Sequence, residues 1–190
     1  MPAVNGVGEP CAGEPHARFD GRGLETGRKH YATAPAPDPT QIQVLHDRRI
    51  PKTVANIDHI VVCPSGVVVI DAKRYQGRPT LQTHGGLFSP RVEKLVVGRR
   101  DCSKLVDGVL KQVDLVRRAL QEGADTDVNV RGMLCFIDAD WPLIGGSFTI
   151  RGVDVLWAEK AAEILKRPGP LTTSQVSNVA EHLSRSFSTA

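Results

Sequence analysis

Three charged residues sit at one end of an otherwise apolar stretch, I-D-H-I-V-V-C-P-S-G-V-V-V-I-D-A-K-R, residues 57–74. Asp71 and Lys73 are two apart, so in a strand both side chains leave from one face. Asp58 lies on the preceding strand-like run. A turn with an even number of residues sets Asp58 directly opposite Asp71 on that same face. A three-residue turn with a bulge at Gly66 shifts the register by one. The residues allow both, and the even register is the one that makes chemical sense.

Two facing carboxylates repel unless positive charge sits between them. A divalent cation meets that need. Mg²⁺ takes hard oxygen ligands, typically one or two carboxylates with waters and a substrate phosphate. Lys73 would stand beside such a site, able to orient or help deprotonate an attacking water or to stabilise charge on a phosphate. Metal-assisted phosphodiester hydrolysis is the reaction class this set fits. The competing reading is a plain, solvated strand end.

The elements that must position these residues are legible around them. Pro64-Ser65-Gly66 reads as a turn between two strands. Q-I-Q-V-L-H-D before it alternates as a strand does, and R-R-I-P-K-T-V-A-N reads as a basic loop. L-Q-T-H-G-G-L-F predicts a further strand or loop pair. From Asp101 to Gly123, Leu105, Val109, Val113, Val116 and Leu120 recur every three or four residues, the stripe of an amphipathic helix. Asp101 or Ser103 can cap its start and Gly123 can end it. V-R-G-M-L-C-F-I-D-A-D and G-V-D-V-L-W-A predict two more strands, with W-P-L as a turn. S-Q-V-S-N-V-A-E-H-L-S-R-S-F predicts a closing helix with Val176, Val179, Leu183 and Phe187 inward. The result is a mixed α/β domain around a central sheet.

The bulk properties agree with a single globular domain. The chain has 190 residues, 41% hydrophobic and 24% charged, with a net charge of +3 that permits a nucleic-acid partner without demanding one. No apolar run approaches the roughly 20 residues needed to span a bilayer. The N-terminus lacks the basic and apolar regions of a secretory signal, which leads to an expected cytoplasmic location. Cys11, Cys63, Cys102 and Cys135 form no C-x-x-C pair, which argues against a zinc cluster, and Cys63 and Cys135 read as buried thiols. Pro, Gly and Ala are dense through residue 40. Residues 1–20 read as a poorly ordered N-terminal segment, 34–41 as a linker, and 21–190 as the domain.

The run V-L-H-D-R-R-I-P-K-T-V-A-N-I-D-H-I-V-V-C-P-S-G-V-V-V-I-D-A-K-R-Y-Q-G, residues 44–77, resembles the nuclease-related domain, a branch of the PD-(D/E)xK nuclease superfamily. The resemblance continues through G-R-R-D-C-S-K-L-V-D-G-V-L-K-Q-V and V-R-G-M-L-C-F-I-D-A-D-W-P-L, and reaches Leu171. It implies an α-β-β-β-α-β, restriction-endonuclease-like core, a central mixed sheet flanked by helices. It also implies Mg²⁺-dependent cleavage, with Mn²⁺ as a substitute, of DNA or else RNA. Carried over by position, Asp58 and Asp71 would be metal ligands, the Ala72 carbonyl a third oxygen, and Lys73 the catalytic lysine. Similar proteins carry a Glu on the first helix in a G-x-x-G-E context. G-R-G-L-E at 21–25 points to Glu25, with Glu14 as competitor. A recurring Gln on the long helix matches Gln112. Asp71 stands where many superfamily members have Glu, and the shorter side chain still ligates.

Arg48, Arg49 and Lys52 precede Asp58 and could contact phosphates, as could Arg74 and Lys104, with Arg78, Arg99 and Arg100 in the same region. Tyr75 reads as packing rather than stacking on a base. His59 points to the opposite face from Asp58, and His46 and His84 have no partner spacing. Asp138 and Asp140 rank as structural, and Trp141 and Trp157 as core anchors. The rival to a nuclease is a domain of the same fold that binds nucleic acid or another partner without cutting it.

Overall fold

The computed structural model describes residues 41–86, 89–123 and 128–190. The first-helix region with Glu14 and Glu25, the N-terminal segment and the linker up to residue 40 lie outside them. Three strands open the fold, β1 (Gln43–Arg49), β2 (Asn56–Cys63) and β3 (Gly66–Arg74). A small second sheet follows, β4 (Pro79–Gly86), β5 (Ser89–Val97) and β6 (Arg100–Asp101). Then come α1 (Ser103–Gln121), β7 (Val130–Ile137), β8 (Phe148–Ile150), β9 (Val153–Leu156), α2 (Ala158–Leu165) and α3 (Thr173–Ser186).

The main sheet runs in the order β1-β2-β3-β7-β9-β8. The first three strands are antiparallel neighbours, whereas β7 lies parallel to β3 and β9 parallel to β7. Parallel pairing needs a long crossover, and α1 supplies it between β3 and β7. The β-β-β-α-β run is the restriction-endonuclease-like core of a mixed α/β domain.

Helices cover both faces of the sheet. Val67, Val69, Ile60, Val62 and Leu134 pack with Val106, Val109, Val113 and Val116 of α1 and with Val176, Val179 and Leu183 of α3. Val61, Val68, Ile70, Met133 and Cys135 pack on the other face with Ala161 and Leu165 of α2. Because both faces are covered, β3 is buried along almost its whole length and reads as a continuous apolar run. Gly132 lets α1 close on the sheet: a Cβ there would meet Val109 Cγ1 at 2.5 Å.

Several elements differ from the sequence reading. The strand β1 continues through Arg48 and Arg49, so these begin no loop. The segment after Gly77 forms the expected strand pair, but in a sheet of its own, with Leu95 and Val97 of β5 packed into the main core. Val106 replaces Leu105 in the fully buried stripe of α1. The strand expected to run to Ala158 stops at Leu156, and α2 starts after Trp157. At eight residues, α2 is too short for periodicity to announce it. The N-cap position of α1 is Cys102, whose side chain makes no cap bond, and the helix closes at Glu122, with Gly123 outside the left-handed region. Asp101 accepts hydrogen bonds from the Ser103 amide and hydroxyl, and the Gly123 amide closes on Leu120. Helix α3 begins with a full capping box between Thr172 and Gln175.

Candidate active site

The hairpin that carries the charges has a two-residue turn. Cys63 pairs with Gly66, and the ladder runs through Val62–Val67, Val61–Val68 and Ile60–Val69 to His59–Ile70. Pro64 and Ser65 form the tip, while Gly66 begins β3 at φ +123, a conformation that L side chains rarely adopt. The Gly66 position is also crowded: a Cβ would lie 2.4 Å from the Asn129 carbonyl oxygen. The even register is therefore the one built, and Asp58 and Asp71 occupy the next position along it.

Beyond His59–Ile70 the backbone ladder gives way. The Ala72 amide donates to Asp58 Oδ2 at 3.2 Å, so a carboxylate replaces the carbonyl that a continued ladder would offer. Lys73 Nζ bonds Asp71 Oδ1 and lies 3.6 Å from Asp58 Oδ2. One ammonium thus faces two carboxylates. Strand alternation puts all three on the face that α1 covers, where Val67 and Val69 pack. Asp58, Asp71 and Lys73 are only 9%, 7% and 7% exposed. Charges so far from water persist when paired and hydrogen-bonded.

The electrostatics follow from that burial. Desolvation pushes the Asp71 carboxyl up to about 6; the Lys73 ammonium pulls it down, and the neighbouring Asp58 carboxylate adds to the rise. With two acids and one base, the cluster carries an excess negative charge once Asp71 ionises. The donor chemistry, two hard carboxylate oxygens on adjacent strands, suits Mg²⁺ or Mn²⁺. Among the described residues, no group of three or more His, Cys, Asp or Glu side chains gathers in metal-binding geometry. Asp58 and Asp71 form a pair, and Glu25 and Glu14 lie outside the described chain.

His59 behaves as its position in the strand demands. It points away from Asp58 and meets His46 Nδ1 to Nδ1 at 2.9 Å. Burial and then His46 lower its pKa to about 4. Cys63 and Cys135 are buried free thiols, and burial raises Cys135 to about 12, which leaves it unreactive.

The other predicted residues divide into groups. Gln112 sits midway along α1, and its Oε1 is buried with no hydrogen-bond partner among the described residues. Arg48 turns to the C-terminal tail, where its guanidinium reaches the Phe187 carbonyl and the Thr189 hydroxyl. Arg49 is bound to the same tail through its amide, which donates to Ser188. Lys52 is exposed in the turn that follows, at φ +64. Arg48, Arg49 and Lys52 therefore do not form one phosphate-facing loop. Arg74 pairs with Asp138 at 3.2 Å, so Asp138 is an ion-pair partner beside the site. Lys104 is exposed in the first turn of α1.

Tyr75 is buried and packs edge-on against Phe136. Trp141 and Trp157 are half-buried and pack on each other, with ring centroids 5.1 Å apart, rather than anchoring the centre of the core. A cavity of about 670 Å³ lined by Arg74, Gln76, Arg99 and Arg100 opens where β3 ends. Gln76 escaped the sequence reading because nothing in its spacing marks it. The close approach of Gly77 to Gly98, with the Gly98 amide donating to the Arg78 carbonyl, brings the β3 end and the β5–β6 turn together.

Among the described residues, no helix is long and apolar enough to cross a membrane. The family model of the nuclease-related domain matches residues 27–137. Neither the curated proteins nor the solved structures include a match to the chain.

Proposed function

The chain belongs to the nuclease-related domain family, and from that premise we propose that it is a divalent-metal-dependent nuclease hydrolysing phosphodiester bonds in DNA, with RNA as a second substrate class. One observation carries the reading: Asp58, Asp71 and Lys73 converge at one buried rim, in the register that opposes the two carboxylates. A buried rim with two carboxylates and one ammonium is poor packing material, and its cost makes sense where charge has a task.

In this reading Asp58 and Asp71 would hold Mg²⁺. The Ala72 carbonyl would be a third oxygen, since the Ala72 amide already turns to Asp58. When bound, the cation supplies Lewis-acid polarisation and counter-charge at the phosphoryl oxygens. Lys73 holds the attacking water by its ammonium and offsets negative charge on the phosphate. Gln112 offers a buried amide oxygen that can accept from a water at the site. Glu25 is the candidate for a further carboxylate. Arg74 and Lys104 would meet flanking phosphates, with Arg49 and Lys52 at the outer edge.

The test is incubation of the purified protein with plasmid, single-stranded DNA and RNA, with Mg²⁺, with Mn²⁺ and with chelator. Cation-dependent cleavage that falls at least about 100-fold in Asp71→Asn and Lys73→Ala supports the proposal. Nucleic-acid binding without cleavage would transfer the site to the rival role, a binding module. Cleavage indifferent to both substitutions would sink the assignment of the residues.

A further inference from the structure

Two hollows open at the end of the sheet where β3 and β7 stop. The first is the cavity of about 670 Å³ with Arg74, Gln76, Arg99 and Arg100 in its wall. The second, about 430 Å³, is lined by Trp141, Pro142, Trp157 and Glu159. Asp138 lines both, so they adjoin. Each falls within the about 300–1,000 Å³ usual for small-ligand sites. They lie next to the charged rim: Arg74 follows Lys73, and it pairs across the parallel ladder with Ile137, the residue before Asp138. The carboxyl ends of parallel strands are where open α/β sheets bind ligands.

The chemistry of the two hollows differs. Three arginines, Arg74, Arg99 and Arg100, line the first. The ion pair between Arg74 and Asp138 has both side chains more than half exposed. Such a pair is weak, so an anion can displace the carboxylate at little cost. Arginine forks match phosphate oxygens better than lysine does. The second hollow is aromatic, with Asp138 and Glu159 at its edges. Those carboxylates repel a phosphate, yet they can accept from an exocyclic amino group of a base.

We propose that the adjoining hollows hold one unpaired nucleotide of the substrate, its backbone phosphate among Arg74, Arg99 and Arg100 and its base against the Trp141–Trp157 pair. The inference rests on the nucleic-acid reading of the site and deepens it by naming the strand form. An aromatic surface beside a basic groove is how proteins grip single strands, because a base stacked inside a duplex cannot reach such a pocket. The preferred substrate is thus a single strand, a flap or a frayed end, rather than continuous duplex.

Trp141 and Trp157 are the only two tryptophans in the chain, so intrinsic fluorescence reports on this hollow. The full chain is titrated in chelator with unlabelled single-stranded DNA and with duplex of equal length. Anisotropy of labelled strands measures total binding in parallel. Single strands are expected to quench the tryptophans, and duplex to quench far less at equal occupancy. Arg99→Gln/Arg100→Gln, two exposed substitutions, is expected to raise Kd at least about ten-fold and to flatten the salt dependence by about 0.7 in log–log slope, the share of one single-strand phosphate. Trp141→Phe keeps a single reporter, Trp157, and is expected to retain the quench. Binding with unchanged fluorescence, equal quenching by duplex, a double variant that binds like the parent, or no binding at all would each overturn the proposal. Cleavage with Mg²⁺ is scored separately on the same proteins. Quenching without cleavage defeats the nuclease reading alone, and cleavage without quenching defeats this one alone.

Discussion

Asp58 reaches across the strand pair and takes the Ala72 amide at 3.2 Å, in place of the backbone carbonyl that would have continued the ladder. The carboxylate therefore has two separable duties, one structural and one chemical. Asp58→Asn keeps an acceptor for the amide, so its stability is expected to stay within about 1 kcal/mol of the parent, while cleavage falls at least about 100-fold. Asp58→Ala strands the buried amide and is expected to lose a further 1–3 kcal/mol or so along with activity. Denaturant melts beside the plasmid assay separate the two. Equal stability in both variants would mean that the hydrogen bond holds nothing in place.

Lys73 sets its ammonium against both buried carboxylates, bonded to Asp71 and 3.6 Å from Asp58. Removing one partner of a buried charge cluster leaves the others uncompensated, at a cost of about 3–5 kcal/mol. Lys73→Met is expected to show that loss in chelator. Added Mg²⁺ or Mn²⁺ should restore part of it, raising Tm more in the variant than in the parent, because the cation then supplies the missing charge. Thermal melts with and without cation read this directly. A variant whose Tm ignores both cations would speak against a metal held between Asp58 and Asp71.

The hairpin, its charged rim and the long helix were legible in the sequence because each rests on local rules. Alternation put Asp71 and Lys73 on one face, and the turn allowed only two registers. Alternation also sent His59 to the far face, where it meets His46. What the sequence hid is long-range. The Arg48 side chain looked available for phosphates, yet it packs on the C-terminal tail at Phe187 and Thr189, nearly the whole domain away in the chain. The hairpin after Gly77 gave no sign that it would leave the core sheet, since strand pairing partners are a tertiary choice. The Trp141–Trp157 contact likewise depends on a loop of W-P-L-I-G-G closing over the start of α2, which no periodicity encodes.

Asp71 and His59 give opposite pH dependences over nearly the same range. The folded Asp71 pKa, about 6, lies above its ordinary 3.8, so between those values the folded state binds the extra proton and stability falls as pH rises. The folded His59 pKa, about 4, lies below its ordinary 6.5, so the unfolded state binds the extra proton and stability rises with pH. Each contribution is on the order of 3 kcal/mol, and the two nearly cancel between pH 4 and 6. Asp71→Asn is therefore expected to gain stability relative to the parent as pH climbs from about 4 to about 6, and His59→Asn to gain it as pH falls through the same window. Chelator-treated denaturant melts at several pH values provide both differences. A parent-minus-variant difference that stays flat with pH would show that the group titrates alike in both states.

Three glycines allow the register argument to be tested against simple backbone strain. Gly145 has φ +72 and open space around it, so Gly145→Ala carries strain alone, about 1–3 kcal/mol. Gly132 has no positive φ, but a Cβ there meets Val109 Cγ1 at 2.5 Å and Val113 Cγ2 at 3.1 Å, so Gly132→Ala carries overpacking alone, also about 1–3 kcal/mol. Gly66 combines φ +123 with a Cβ position 2.4 Å from the Asn129 carbonyl oxygen, which already accepts from the Val67 amide. Gly66→Ala is thus expected to be the most destabilising of the three. It also acts on the turn that aligns Asp58 with Asp71, and a one-residue slip would send every side chain of β3 to the opposite face. Activity per folded molecule should therefore survive in Gly145→Ala and collapse in Gly66→Ala, measured below the melting range of each with the folded fraction taken from circular dichroism. Retention of full specific activity by folded Gly66→Ala would show that the rim tolerates a change in the turn, and that its chemistry does not depend on the two-residue register.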